Sequence, residues 1–252
     1  MGFIAAVYGV ICYVVFLGSF LYAIGFVGDV VVPKTIDSGL TGPSTAALLI
    51  DLLLLGAFAI QHSVMARPGF KAVWTRIVPR SVERSTYVLF SSLLLALLCW
   101  QWRPFPSAIW DVSASPVSAG LLTALFWLGW LILLLATFMI NHFDLFGLRQ
   151  VYLRLRGLDY LPLHFVQRAL YKVVRHPIML GFLIAFWATP RMSLGHLIFA
   201  IMTTGYILVG IALEERDMVA ALGEQYRAYR SRVPMLIPRI FRRQQTGKAI
   251  AR

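Results

Sequence analysis

The chain has 252 residues, 59% of them hydrophobic, and a mean hydropathy of +0.76, which is too apolar for a soluble domain of this length. The net charge of +12 would indicate nucleic-acid binding in a soluble protein, but here the basic residues fall in blocks between apolar runs, so we predict a membrane protein with no nucleic-acid partner. Cys12 and Cys99 each lie inside an apolar run, which predicts neither a disulfide framework nor a metal site.

Six apolar runs predict the architecture, because a spanning helix needs about 20 apolar residues. The runs cover about 4–27, 45–65, 86–102, 117–140, 177–189 and 192–213. The fifth run is short and ends at Thr189-Pro190, where proline terminates or kinks a helix. We therefore expect an all-α integral membrane protein whose last two segments form a helical hairpin, 177–213. Whether the first arm crosses the whole bilayer stays open.

The basic residues predict the orientation of these segments. Twenty of the 23 Lys and Arg residues fall within 66–85, 141–176 and 213–252. Basic loops stay on the cytoplasmic side of a membrane, so these blocks and both termini are expected in the cytoplasm, with an even number of crossings. A bacterial inner membrane is the expected location. The basic tail, 239–252, is expected to lie against anionic lipid or to fray.

Arg175-His176-Pro177 opens the fifth apolar run. Proline suits the first helical position, so we expect a helix to begin at Pro177, where free N–H groups and the helix dipole favour an anion. Gly181 would lie on the same helix face and let a ligand or a neighbouring helix approach. The alternative interpretation is an ordinary basic helix start at the membrane boundary.

Acidic and aromatic residues follow the sixth run. Glu214 and Glu215 are predicted at the C-terminal end of a long helix, where the dipole disfavours carboxylates. They would either form a local salt bridge or bind an ammonium, a ribose hydroxyl or a sulfonium. Tyr226 and Tyr229 share a helix face, and could stack on a purine or lie at the membrane interface.

Residues 171–234 carry a resemblance. Arg-His-Pro-x-x-x-Gly, a hydrophobic hairpin, Glu-Glu, and then Gly-x-x-Tyr-x-x-Tyr-x-x-x-Val-Pro resemble the C-terminal core of the isoprenylcysteine carboxyl methyltransferase and phospholipid methyltransferase superfamily. The resemblance implies a cytoplasmic site for S-adenosylmethionine (S-adenosyl-L-methionine). Arg175 and His176 would contact the methionine carboxylate, and Glu214 and Glu215 the amino and ribose groups. The other residues implied in cofactor binding are Pro177, Gly181, Tyr226 and Tyr229.

Further stretches, Gln61-His62-Ser63 and 141–150, resemble the methanethiol S-methyltransferase branch of this superfamily. That resemblance implies methylation of a small apolar thiol, methanethiol, to dimethyl sulfide. It divides the chain into an N-terminal four-helix membrane region, 1–140, and a catalytic region, 141–252. A lipid, prenylcysteine or other small-molecule methyltransferase is the alternative enzyme, and a membrane transport or assembly protein is the alternative without catalysis.

Methyl transfer to a thiol needs a proton acceptor, because a thiol with a pKa of about 8.5 is mostly protonated at neutral pH. His62, His142 and Asp144 all fall near the predicted cytoplasmic boundary, and a His–Asp pair from the second and fourth runs would serve as this base. Each has a structural alternative: His62 as a helix cap, His142 as an interfacial ring, and Asp144 as the partner of Arg149. Trp127, Trp130, Phe138 and Trp187 could line the thiol pocket, or could simply pack.

Overall fold

A computed structural model describes residues 2–41, 44–163, 165 and 167–238, and is built mostly of helices. Two short strands, β1 (Ala108–Asp111) and β2 (Arg191–Ser193), pair antiparallel, which the all-α prediction did not include. The basic tail, 239–252, lies outside the described residues. The helices are α1 (Gly2–Gly28), α2 (Ser44–Ala66), α3 (Pro68–Trp74), α4 (Arg80–Gln101), α5 (Pro116–Ile140), α6 (His142–Leu145), α7 (Leu148–Leu155), α8 (Leu170–Val173), α9 (Pro177–Trp187), α10 (Leu194–Leu222) and α11 (Glu224–Arg232).

Five of these helices, α1, α2, α4, α5 and α10, are long and apolar enough to cross a membrane, as expected for a multi-pass membrane protein. The sixth predicted segment is different. Helix α9 has 11 residues and is therefore about 16 Å long, roughly half of a 30 Å hydrocarbon core. Beyond Trp187 the chain is no longer helical, and it reaches β2, which pairs with the segment between α4 and α5.

The second arm of the predicted hairpin is longer than expected. Helix α10 does not end at residue 213 but continues to Leu222, so Glu214 and Glu215 lie within the helix rather than at its end. The unfavourable end-of-helix position predicted for these carboxylates is therefore wrong. The basic side chains that surround the two carboxylates, described below, account for their position instead.

Contacts between helices bring the basic blocks to one end of the bundle, here called the basic end. Arg67 at the end of α2 pairs with Asp217 of α10, with 2.8 Å between Nη1 and Oδ2. Arg84 of α4 donates from Nε to the Leu145 carbonyl of α6 at 2.7 Å. Gly9 of α1 gives space to α7, since a Cβ there would lie 2.6 Å from a Val151 methyl.

The opposite end of the bundle closes around the end of α4. The backbone N–H of Arg103 donates to the fully buried carboxylate of Asp51 at 2.9 Å, and Lys34 Nζ donates to the Trp102 carbonyl at 3.0 Å. These contacts satisfy backbone groups that would otherwise be left unpaired beyond a helix end. They account structurally for one oxygen of this buried carboxylate, whereas Asp51 Oδ2 has no hydrogen-bond partner among the residues that the structure describes.

Helix α9 packs most closely on α5. A Cβ on Gly181 would lie 2.6 Å from the Gly129 carbonyl oxygen and 2.9 Å from the Leu133 nitrogen. Small residues that let two backbones approach are typical of packing between membrane helices. Gly181 was expected to contact a cofactor or a neighbouring helix, and in the structure α5 fills the space beside it.

Candidate functional site

A charged cluster joins the start of α9 to α10 at the basic end. The buried carboxylate of Glu215 accepts hydrogen bonds from Arg175 Nε at 2.6 Å and from His176 Nε2 at 3.0 Å, both at Oε1. Its Oε2 lies 3.4 Å from Nε of Arg230 on α11. The predicted pairing of the basic and acidic motifs is therefore present, but they bind each other directly.

The segment after α11 completes this cluster. Arg175 Nη1 donates to the carbonyls of Arg230 at 3.0 Å and Val233 at 2.6 Å. The backbone N–H of Arg175 donates to the Pro234 carbonyl at 2.9 Å. Sequence reasoning singled out Val233-Pro234 only within the family pattern and missed Arg230, whose position one turn after Tyr226 was the available signal.

The two adjacent glutamates have different surroundings. The Glu215 side chain is 8% exposed and both of its oxygens have cationic partners. The Glu214 side chain is 50% exposed, and the basic nitrogen closest to it is His176 Nδ1, at 3.7 Å. Glu214 therefore keeps hydrogen-bonding capacity for a ligand, whereas the capacity of Glu215 is used within the protein.

Pro177 is buried at the first position of α9, as the sequence predicted, and His176 precedes it as the N-cap. The N-cap position fixes the His176 ring between the start of α9 and the acidic pair of α10. The start of this helix therefore sets the geometry of the cluster.

Tyr226 and Tyr229 are 3% and 2% exposed and pack with Phe165 and Met218. Burial raises the pKa of Tyr229 to about 12, so its phenol keeps its proton, and it donates to the Tyr171 carbonyl at 2.7 Å. Neither ring is available to stack on a purine in this arrangement. The two rings instead hold α11 against α8 and α10.

His62 belongs to a second polar group, formed by α2, α4 and α10. The Tyr87 hydroxyl lies 2.9 Å from His62 Nε2, and the Ser91 hydroxyl lies 3.2 Å from Nδ1. The ring stacks on Phe58 at 5.3 Å and meets Tyr206 of α10 edge-on at 6.4 Å. His62 therefore has side-chain partners inside the bundle and does not act as a simple helix cap.

His142 is buried beside α1 and α5. Its Nε2 lies 2.8 Å from the Tyr13 hydroxyl and its Nδ1 lies 2.9 Å from the Thr137 hydroxyl, while its ring stacks on Phe138 at 4.5 Å. Removal from water lowers the pKa of His142, because it disfavours the charged ring. Phe146 packs against this ring at 4.7 Å.

The Asp144 carboxylate is hydrogen-bonded to residues other than the two histidines. It accepts from Arg149 at 2.9 Å and from the Tyr160 hydroxyl at 3.3 Å, which is the structural alternative predicted for this carboxylate. Phe16 and Phe146 stack on each other and pack against the cluster of Met65, Tyr87 and Val88, so aromatic rings lie between Tyr87, the partner of His62, and His142. The structure does not bring these three residues together as a His–Asp pair.

An open groove of about 460 Å³ runs along α10 beside the charged cluster. It is lined by Leu208, Ile211, Ala212, Glu215, Arg216, Val219, Arg230 and Met235. The groove and the half-exposed Glu214 offer cations, a carboxylate and apolar surface within a few residues of each other. This donor set fits a zwitterionic amino acid joined to a less polar group.

Comparison with known proteins gives close relatives over nearly the whole chain. The chain is 60% identical over 236 residues to the methanethiol S-methyltransferase of Mycobacterium tuberculosis, covering 94% of this chain and 96% of that relative. It is 55% identical over 239 residues to methanethiol S-methyltransferase 2 of Bradyrhizobium diazoefficiens, covering 95% and 92%. It is also 31% identical over 178 residues to nurim of Danio rerio, covering 68% and 64%. No family model and no solved structure matches the chain.

Proposed function

The chain belongs to the methanethiol S-methyltransferase family, and we propose that its charged cluster binds S-adenosylmethionine, the methyl donor for conversion of methanethiol to dimethyl sulfide. The enzyme is a thiol S-methyltransferase with several membrane-spanning helices. The charged cluster lies at the basic end of the bundle. We place this end in the cytoplasm because it carries most of the Lys and Arg residues, and basic loops stay on the cytoplasmic side of a membrane.

The single observation that supports this cofactor site is the difference between the two glutamates: Glu215 is buried and paired within the protein, whereas Glu214 is half exposed. Glu215 holds Arg175, His176 and Arg230 in place, and Glu214 beside them is half exposed with one long contact. Glu214 would accept hydrogen bonds from an ammonium group. Arg230, whose side chain is 56% exposed, would donate to a carboxylate.

S-adenosylmethionine would supply a methyl group carried on a sulfonium sulfur. The thiol would give up its proton and bond to the methyl carbon through its sulfur, as the bond from that carbon to the sulfonium sulfur breaks and leaves a thioether. The protein's own tasks are to align the thiol, exclude water and accept the proton.

For the proton acceptor we propose His62. Its ring lies against Tyr206 of α10, and Glu214 is eight residues further along that helix, about 12 Å by helical rise. The Tyr87 and Ser91 hydroxyls beside the ring can each donate or accept, so they can adapt to a protonated imidazole. Asp144 is already paired with Arg149, and the ring nitrogens of His142 contact residues of α1 and α5 rather than α10, which makes both weaker candidates.

The deciding experiment supplies the purified protein with methyl-labelled S-adenosylmethionine and methanethiol, and measures labelled dimethyl sulfide in the gas phase. We expect product from the wild type and at least a tenfold loss in Glu214→Gln at a fixed, subsaturating cofactor concentration, since a charge-assisted hydrogen bond is worth about 1.5–3 kcal/mol. Label in lipid or in a prenylated thiol, with none in dimethyl sulfide, would contradict the proposal.

A further inference from the structure

Trp130 of α5 carries a polar atom that packing does not explain. The residue is 6% exposed, and its indole Nε1 has no hydrogen-bond partner among the residues that the structure describes. A buried N–H without a partner is costly, most of all within a bilayer, where water cannot supply one. An indole N–H in this state needs an explanation, and a ligand that accepts it is one.

Four phenylalanine rings enclose this indole in what we call the aromatic box. Phe20 of α1 meets it at 5.5 Å, Phe182 of α9 at 5.8 Å, and Phe126 and Phe186 at 6.0 and 6.1 Å. The interplanar angles are 70° to 90°, so each ring is close to edge-on to the indole. The box is apolar throughout, with the indole N–H as its polar group.

Along the bundle axis, the aromatic box lies further from the basic end than the proposed cofactor cluster, at about the depth of His62. Phe182 is five residues beyond Pro177, about 8 Å along α9. Phe186 packs on Phe199 of α10 at 5.0 Å, and Phe182 is one turn nearer the basic end than Phe186. Tyr206, which contacts His62, is about two turns nearer that end than Phe199, so Phe182 and His62 differ by about one turn in depth along the bundle.

The chemistry of the box matches a small thiol. Sulfur makes favourable contacts with aromatic rings at about 5 Å, frequently at the ring edge. A sulfur that loses its proton gains negative charge, and a donor N–H stabilises that charge strongly in an apolar surrounding. A thiol with one methyl group needs no further polar partner.

We propose that the aromatic box binds the methyl-accepting thiol and that Trp130 Nε1 donates a hydrogen bond to its sulfur. This inference rests on the proposed function and adds the binding site of the acceptor to it. Trp130 then favours the thiolate over the thiol, while His62 receives the proton. The four phenylalanines limit the size of the acceptor.

The test replaces the N–H and keeps the ring. Trp130→Phe and Trp130→benzothienylalanine, which has nearly the shape of tryptophan but no N–H, should each lower kcat/KM for methanethiol by about 10- to 100-fold, the range of a charge-assisted hydrogen bond. The KM for methanethiol should rise, and binding of S-adenosylhomocysteine by calorimetry should stay unchanged. The matched control is Trp100→Phe on α4, a tryptophan that is 69% exposed and lies outside the aromatic box, and it should leave the kinetics unchanged.

Two outcomes would overturn the inference. If Trp130→benzothienylalanine turns over methanethiol like the wild type, the N–H does not contact the sulfur. If both Trp130 variants lower the unfolding temperature and leave KM unchanged, the indole only packs, with its N–H against a phenylalanine ring. Failure of the wild type to make dimethyl sulfide would instead refute the proposed function, so the two failures are distinct.

Discussion

Replacement of Glu215 by glutamine separates structural from binding roles in the charged cluster. The change keeps the side-chain volume but removes the charge that neutralises Arg175, whose side chain is 9% exposed. Breaking a buried ion pair costs about 3–5 kcal/mol, and we expect the lower end, because the amide oxygen can still accept from Arg175. A loss of about 3 kcal/mol is a large part of the usual 5–15 kcal/mol of folding stability.

Glu214→Gln is the matched comparison. This side chain is half exposed and the basic nitrogen closest to it, His176 Nδ1, is 3.7 Å away, so the stability change should be below about 1 kcal/mol. The dissociation constant of the Glu214→Gln variant for S-adenosylhomocysteine should rise by about tenfold or more, which corresponds to a loss of at least about 1.4 kcal/mol of binding free energy.

The assay is thermal unfolding in detergent together with calorimetry of S-adenosylhomocysteine binding. Glu215→Gln should unfold at a clearly lower temperature than the wild type, and Glu214→Gln should unfold near the wild-type temperature. The reasoning is refuted if Glu214→Gln destabilises the protein as much as Glu215→Gln does, or if Glu214→Gln binds the cofactor product normally.

Three further changes test other parts of the structure. Gly181→Ala should lower the stability by about 1–3 kcal/mol and so lower the unfolding temperature, since its Cβ would meet backbone atoms of α5. Gly205→Ala, which has open space around it, should leave the unfolding temperature unchanged. Burial lowers the pKa of His142 from 6.5, so as the pH falls through about 6.5 the unfolded chain binds this proton before the folded protein does, and stability is lost. His142→Gln should therefore reduce the loss of stability between pH 7 and pH 5, as measured by thermal unfolding. Phe182→Ala should raise the ratio of ethanethiol to methanethiol turnover by about tenfold, the worth of one methylene in an apolar pocket, and an unchanged ratio would remove this residue from the acceptor site.

The long helices could be predicted from the sequence because each one meets the length and hydropathy that a bilayer demands. The start of α9 was equally predictable, since proline at the first helical position is a local signal. The pairing of the basic and acidic motifs followed from their positions at the same end of two neighbouring helices.

Other features depend on contacts between distant residues and carry no local signal. The end of α10 at Leu222 was missed because apolar character stops near residue 213 while polar helix formers continue. The burial of Tyr226 and Tyr229 depends on Phe165, which lies in a separate part of the chain. The separation of His62 from His142 depends on Phe16 and Phe146, whose meeting at 4.0 Å no spacing rule predicts.

The hydrogen bonds from Arg175 to the carbonyls of Arg230 and Val233 have a consequence for biosynthesis. Translation delivers Arg175 to the membrane surface well before Glu215, and Glu215 before Val233. Until that later stretch has left the ribosome, Glu215 is the only one of these partners that the guanidinium can reach, and the two carbonyl acceptors that complete its hydrogen bonding are missing. A nascent chain stalled before Val233 should therefore be inserted in the membrane yet inactive.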